Sequence, residues 1–212
     1  MDPRHATSFP EGFFARGDET DDADFYAFDR FVTHIDDGAI GAIGELYEEL
    51  QFAGPGFGPV LDICSSWISH FSTKPDRLVV TGMNANELAA NEMADEWHVQ
   101  DLNVDPALPH DDAAFAAVTC AVSVDYLTRP LDVFAEVARV LQPGGVFVCT
   151  FSNRCFPTKA IRGWLANDDA TRMRIVGAYF DFTEGFGEPT LQHRNPGART
   201  DPLYAVWARR LG

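Results

Sequence analysis

Short runs of apolar residues alternate with segments of helical periodicity along most of the chain. The apolar runs are rich in β-branched residues and end at glycine, proline or polar residues, a pattern typical of buried strands. Seven such runs are predicted as strands: 60–63, 78–80, 97–100, 115–124, 146–151, 188–194 and 204–210. Continuous apolar strands separated by amphipathic helices predict an α/β fold with a mostly parallel sheet. The last two runs lack an intervening helix, so we expect an antiparallel hairpin at the sheet edge.

Apolar residues also recur at steps of three and four, the spacing of a buried helix face. Between residues 25 and 52 this spacing predicts two helices that are broken near Gly38. Further helices are predicted over 86–94, 131–141, 158–165 and 170–180. Residues 1–24 are polar and acidic and predict a loose arm. We therefore expect an arm and helical cap over residues 1–57, followed by one α/β domain over 58–212.

The charge balance excludes some classes of partner. The 212 residues contain 32 acids and 16 Lys or Arg, so the net charge is −16 at pH 7. Phosphate contacts need basic side chains, so we expect neither nucleic-acid binding nor adhesion to an anionic membrane. Only Lys74 and Lys159 are lysines, and this excess of acid over lysine resembles proteins of high-salt cytoplasms. A halophilic origin is therefore a compositional hypothesis.

The cysteines and the chain start predict a cytoplasmic protein. The four cysteines have no C-x-x-C spacing, so neither a disulfide framework nor a zinc site is expected. Among the six histidines, His98 and His110 lack partners at ligand spacing, and no metal is predicted. The N-terminus has no apolar run, and no stretch approaches the roughly 20 apolar residues of a membrane span.

The segment over residues 108–153 resembles the class I S-adenosylmethionine-dependent methyltransferases, especially their type 11 domain. It contains Leu-Pro, an acidic loop and Phe before the fourth strand, then a helix of the form E-x-x-R-V-L-x-P-G-G before the fifth. The matching positions of that helix are Glu136, Arg139, Val140, Leu141, Pro143, Gly144 and Gly145. The resemblance implies a three-layer αβα Rossmann-like fold with seven strands, and S-adenosylmethionine as cofactor.

The same resemblance implies cofactor contacts after the first four strands, where ligands of such sheets bind. The family has Asp-x-Gly-x-Gly-x-Gly after strand one, whereas this chain keeps the acid and replaces all three glycines. Asn84 stands where the family has an acid for the ribose hydroxyls, and its amide oxygen accepts without charge assistance. The expected cofactor-binding residues are Asp62, Cys64, Ser65, Ser66, Asn84, Asp101, Leu102 and Cys120. Asp101 and the Leu102 N–H would face adenine, and the Cys120 backbone would lie near the methionine end.

The family has no universal catalytic residue, so acceptor contacts are inferred from position. Asp125 and Tyr126 follow strand four, where relatives often have histidines, and Asn153 and Arg154 follow strand five. Asp125 would act as a base or orient the acceptor, Tyr126 would hydrogen-bond to it, and Arg154 would bind its carboxylate or phosphate with help from Lys159. Alternatively, Tyr126 packs under the next helix, Asp125 is solvated, and Arg154 pairs with surface acids.

The first predicted helix carries a further candidate surface. Tyr26, Arg30 and His34 repeat every four residues, so they would share one face and could close over the acceptor. The alternative is that Tyr26 and His34 pack and Arg30 is solvated. The leading hypothesis is a methyltransferase for an unidentified small-molecule acceptor. The second is a non-catalytic module of the same fold that binds another nucleotide, a metabolite or a protein.

Overall fold

A computed structural model describes residues 9–212, which form one seven-stranded sheet. The strands are β1 (Val60–Asp62), β2 (Leu78–Gly82), β3 (Glu96–Val99), β4 (Phe115–Ala121), β5 (Leu141–Phe151), β6 (Thr190–His193) and β7 (Tyr204–Arg209). Their order is β3-β2-β1-β4-β5-β7-β6. The first five are parallel, and β7 runs antiparallel to both β5 and β6. This confirms the mostly parallel sheet and the antiparallel C-terminal hairpin.

Helices cover both faces of the sheet. They are α1 (Asp22–Phe25), α2 (Asp37–Glu49), α3 (Ala85–Ala89), α4 (Pro130–Val140), α5 (Arg162–Leu165) and α6 (Asp169–Asp181), with a 3-10 turn at Val124–Tyr126. Asp36 and Asp168 cap α2 and α6 by accepting from backbone N–H groups three residues on. Such caps satisfy donors that a helix start leaves free.

Alternate strand residues enter two separate cores, which makes the fold a three-layer αβα arrangement. Leu61 and Phe147 pack with α4 and α6 on one face, where Phe134 and Tyr179 are fully buried. Their strand neighbours, among them Val60 and Val148, point to the other face and pack with α2. Buried strands that are apolar on both faces are what a sheet between two helical layers requires.

The N-terminal part of the chain differs from the sequence-based predictions. Residues 26–36 form no helix, because tertiary hydrogen bonds occupy their backbone groups: Arg30 N–H donates to Glu87 and the Tyr26 carbonyl accepts from Asn84. Residues 9–24, expected to be a loose arm, pack against the domain, with Phe9 contacting the ring of Tyr179. Residues 1–8 of that arm lie outside the described part of the chain. Elsewhere, the predicted helices at 86–94 and 158–165 shorten to α3 and α5.

The crossover from β1 to β2 over residues 63–77 contains no helix, although its length leaves room for two or three helical turns. Side-chain hydrogen bonds stabilise this loop instead: the Ser65 and Ser69 hydroxyls both donate to the Asp62 carboxylate. Serine side chains that bond locally compete with helix formation. The loop also packs tightly on β2, where a Cβ at Gly82 would lie 2.2 Å from the Ser65 carbonyl oxygen.

We expect Gly82→Ala to lower the free energy of unfolding by about 2 kcal/mol or more, because the colliding atom belongs to the backbone and cannot rotate away. Gly41→Ala is the matched control. Gly41 lies in α2, and a Cβ there would have no neighbouring atom within 4 Å, so alanine should stabilise the helix by about 0.5–1 kcal/mol. Urea unfolding measures both values, and equal effects would contradict the close approach at Gly82.

Candidate functional site

A cavity of about 580 Å³ opens at the carboxyl ends of the parallel strands. That volume lies within the range of about 300–1,000 Å³ that small-molecule sites occupy. Ten of the twelve predicted site residues line it: Asp62, Cys64, Ser65, Ser66, Asn84, Asp101, Leu102, Tyr126, Asn153 and Arg154. Cys120 and Asp125 do not. Strand tips far apart in the sequence thus meet around one space.

The loop after β1 retains a glycine-like backbone although it has no glycine. Cys64 occupies the first glycine position of the family pattern and has φ of +54°. This left-handed conformation is uncommon for a residue with a Cβ. The buried Asp62 carboxylate accepts from the hydroxyls of Ser65, Ser69 and Thr119 at 2.6, 3.0 and 2.6 Å. Burial raises the pKa of Asp62, and the three hydroxyl bonds oppose that rise.

Asn84 caps α3 and has no hydrogen-bonding capacity left for a ribose. Its amide oxygen accepts from the N–H groups of Asn86 and Glu87, and its amide nitrogen donates to the Tyr26 carbonyl and to Asp29. An asparagine side chain offers two donors and two acceptor lone pairs, so all four are used. An acid here would lose both donor bonds and face the Asp29 carboxylate. The Asn84 side chain therefore connects the end of β2 to the N-terminal segment through hydrogen bonds.

Asp101 and Leu102 present the edge that adenine recognition would need. The Asp101 side chain accepts from the Asn103 N–H through Oδ1, and within residues 9–212 its Oδ2 has no hydrogen-bond partner. The Leu102 side chain is buried, while its N–H donates to no group in the described chain. An acceptor and a donor side by side match an exocyclic amine next to a ring nitrogen.

The end of β4 differs in detail from the expectation. Cys120 is fully buried and lies behind the cavity wall, where it pairs in register with Cys149 of β5. Val122 lines the cavity instead and has φ of +47°. A β-branched residue in that region is strained. Its N–H donates to the Thr150 carbonyl at 2.7 Å, which holds the strained turn against β5.

Asp125 and Tyr126 face different surroundings. Tyr126 lines the cavity, and its hydroxyl accepts from the Phe156 N–H at 2.8 Å. Asp125 is buried outside the cavity lining, and its Oδ2 has no hydrogen-bond partner in the described chain. Burial raises the pKa of Asp125 to about 7. Tyr126 therefore lines the cavity, whereas Asp125 does not.

The cations around the cavity divide into paired and unpaired ones. Lys159 is buried and makes ion pairs with Asp22 at 3.0 Å and Asp18 at 3.3 Å, so it is not free to assist Arg154. Asp22 also accepts two hydrogen bonds from Arg16. Burial opposes ionisation of Asp22, but the bonds from Arg16, Asn103 and Lys159 prevail and lower its pKa. Arg154 is exposed at the cavity mouth and has no ion pair within residues 9–212.

Residues 26–35 form a lid segment over the cavity, although they are not helical. Tyr26, Arg30 and His34 all line the space, as a shared helix face would have placed them. The Arg30 guanidinium stacks on the ring of Phe25, 4.6 Å from its centroid, and donates to the carbonyls of Phe25 and Phe28. Burial lowers the pKa of His34. The buried Glu87 also lines the cavity, although it was not among the predicted site residues.

Comparisons with known proteins agree with this fold. Residues 54–149 match the family model described as a methyltransferase domain. The structure is similar to a methyltransferase dependent on S-adenosylmethionine from Aquifex aeolicus, with a TM-score of 0.57 and 12% identity over 83% of this chain and 99% of that one. The resemblance to the class I methyltransferases with a type 11-like domain is therefore confirmed.

Two further structures have the same fold at low identity. One is an S-adenosylmethionine-dependent methyltransferase from Mesorhizobium loti, with a TM-score of 0.52 and 15% identity over 80% of this chain and 98% of that one. The other is geranyl diphosphate C-methyltransferase from Streptomyces coelicolor with Mg2+, geranyl diphosphate and S-adenosyl-L-homocysteine. It has a TM-score of 0.54 and 14% identity over 81% of this chain and 77% of that one. No curated protein matches the sequence.

Neither a metal cluster nor a membrane-spanning helix occurs within residues 9–212. No group of three or more His, Cys, Asp or Glu side chains in that range could hold a metal ion. None of its helices is long and apolar enough to cross a bilayer.

We expect the buried Asp125 to make stability depend on pH. Its carboxyl keeps its proton in the folded state up to a pH of about 7, whereas the unfolded chain loses that proton above about pH 4. Stability should therefore fall as the pH rises between these values and then level off. Asp125→Asn mimics the protonated carboxyl and should raise the free energy of unfolding at about pH 8 by about 4 kcal/mol.

Urea unfolding at about pH 5 and about pH 8 measures this difference. Asp111→Asn, which removes the same charge from an exposed side chain, is the matched control and should leave the pH dependence unchanged. An Asp125→Asn protein with the pH dependence of the parent would contradict the raised pKa.

Asn84→Asp should loosen the lid segment, because aspartate cannot donate to Tyr26 or Asp29 and its charge repels Asp29. We expect the Arg30 amide, which donates to Glu87, to exchange with solvent about tenfold faster or more. The Ile63 amide, which donates to Thr119 inside the sheet, is the internal control. Unchanged protection of Arg30 would show that Asn84 does not hold the lid.

Proposed function

We propose that the protein is an S-adenosylmethionine-dependent methyltransferase that acts on a small-molecule acceptor. The observation that carries the proposal is the single cavity in which the loop after β1, the Asp101–Leu102 edge and Tyr126 meet. Two structural neighbours support the same cofactor: geranyl diphosphate C-methyltransferase was solved with S-adenosyl-L-homocysteine, and phosphoethanolamine N-methyltransferase 2 of Haemonchus contortus with S-adenosyl-L-methionine. A reducing cytoplasm is part of the proposal, and the four free cysteines support it.

The residues present fit the proposed cofactor at three places. Asp101 has a free carboxylate oxygen and Leu102 a free N–H for adenine, as described above. The positive φ of Cys64 keeps the backbone of the glycine-free loop in the turn that lets it approach a ligand. Asp62 would not touch the cofactor, because its carboxylate already binds three hydroxyls, but it would hold Ser65 in place.

The bound cofactor supplies an electrophilic methyl group on a sulfonium. This chain would contribute position and desolvation, which suffice when the acceptor is already a good nucleophile. Tyr126 is the side chain best placed to orient the acceptor: its hydroxyl accepts from the Phe156 N–H and keeps its own proton to donate. Burial raises the pKa of Tyr126 far above its ordinary value, so the hydroxyl serves as a donor rather than a base.

The acceptor is proposed to carry an anionic group near the cavity mouth. Arg30 and Arg154 line the space without a carboxylate partner in the described chain, although the protein has an excess of 16 negative charges. Guanidinium groups bind carboxylates and phosphates through paired hydrogen bonds. Asn153, also exposed at this mouth, adds an amide to the same face.

A non-catalytic binding module is the second candidate. Two observations favour it: the glycines of the first loop are absent, and Asn84 is fully occupied by protein groups. Calorimetry with S-adenosylmethionine and S-adenosylhomocysteine separates the two proposals. A methyltransferase should bind both compounds. If neither compound produces heat or a thermal shift, the methyltransferase proposal fails and only the assignment of the fold remains.

Asp101→Ala should weaken binding of S-adenosylhomocysteine by about tenfold or more, because an adenine amine would lose its charged acceptor. Arg154→Ala should change that affinity by less than about twofold, since Arg154 is assigned to the acceptor. Asp111→Ala is the control for loss of an exposed acid. Isothermal titration measures all three, and equal losses for Asp101→Ala and Arg154→Ala would overturn this division of roles.

A further inference from the structure

Glu87 is a buried acid on the cavity wall that no step above uses. It lies in the first turn of α3, three residues after the Asn84 cap, and is 7% exposed. That spacing is typical of a capping box, in which the acid bonds back to the N–H of the capping residue. Here the carboxylate instead accepts from the Arg30 N–H and the Ser66 hydroxyl, both at 2.7 Å.

Glu87 contacts both the loop after β1 and the turn after β2, through Ser66 and Asn84. Ser66 belongs to the loop after β1, Asn84 follows the end of β2, and both line the cavity with Glu87. An ionised carboxylate has about four acceptor positions, and the described contacts use two of them. No Lys or Arg side chain of the described chain pairs with Glu87, so its open positions are available to neutral donors such as hydroxyls.

We propose that Glu87 has taken over ribose recognition from Asn84 and accepts hydrogen bonds from the ribose hydroxyls of the adenosyl group. The inference rests on the proposed cofactor. It follows from two facts: all four hydrogen-bonding positions of the Asn84 side chain are occupied by protein groups, and the Glu87 carboxylate on the cavity wall already accepts from one hydroxyl. Because the Arg30 N–H shares the same carboxylate, the lid segment and the ribose would be held by one side chain.

The test uses S-adenosylhomocysteine and its 2′-deoxy and 3′-deoxy analogues, titrated into the 212-residue protein by calorimetry. Glu87→Gln keeps the size of the side chain and an acceptor for the Arg30 N–H, so the fold should persist. Thermal unfolding without ligand checks this. Glu92→Gln, the same change at an exposed acid nearby, is the matched control. We expect Glu87→Gln to lower the affinity for S-adenosylhomocysteine by about tenfold, the loss of charge assistance.

The decisive measurement is how much the loss of a ribose hydroxyl weakens binding in each protein variant. Removing a ribose hydroxyl should weaken binding to the parent protein and to Glu92→Gln but have little further effect in Glu87→Gln. In Asn84→Ala the hydroxyl should still matter. If the parent binds S-adenosylhomocysteine and Glu87→Gln keeps the full hydroxyl dependence, the inference is overturned. If the parent does not bind S-adenosylhomocysteine, it is the proposed function that fails.

Discussion

The buried carboxylate of Asp62 is the interaction on which the site depends. A charge removed from water needs hydrogen-bond donors, and here three hydroxyls supply them, two from the loop and one from β4. These bonds fix the course of a loop that has neither glycines nor a following helix. The Ser65 backbone of this loop packs closely on Gly82 of β2, so Asp62 and Gly82 together fix the loop against the first two strands.

A second constraint joins the N-terminal segment to that unit. Asn84 and Glu87, three residues apart at the start of α3, bind backbone groups of Tyr26 and Arg30. The backbone groups of Tyr26 and Arg30 in the lid segment thus form hydrogen bonds with the domain, and the segment does not form a helix. The amide of Asn84 both caps α3 and donates to Asp29, and an ionised acid at position 84 would lack the donor.

The basic side chains around the cavity differ in whether they form ion pairs. Arg16 and Lys159 both pair with Asp22, which links the N-terminal segment to the segment after β5. Arg30 and Arg154 have no carboxylate partners in the described chain and lie at the cavity mouth. In a chain with twice as many acids as bases, two guanidinium groups without ion pairs at one opening support the proposal that the acceptor carries an anionic group.

The sequence by itself determined the strands, the long helices and the hairpin, because burial on two faces or on one helical stripe leaves a periodic pattern along the chain. It also placed ten of twelve site residues at the cavity, since parallel strands end at one edge. Only the tertiary structure decided the rest. Residues 26–35 have helical spacing, but their backbone groups form hydrogen bonds with Asn84 and Glu87. Asp125 is buried in the core. The Glu87 carboxylate accepts from Ser66 and does not bond back to the capping residue. Each outcome depends on partners distant in the chain, and periodicity contains no information about such partners.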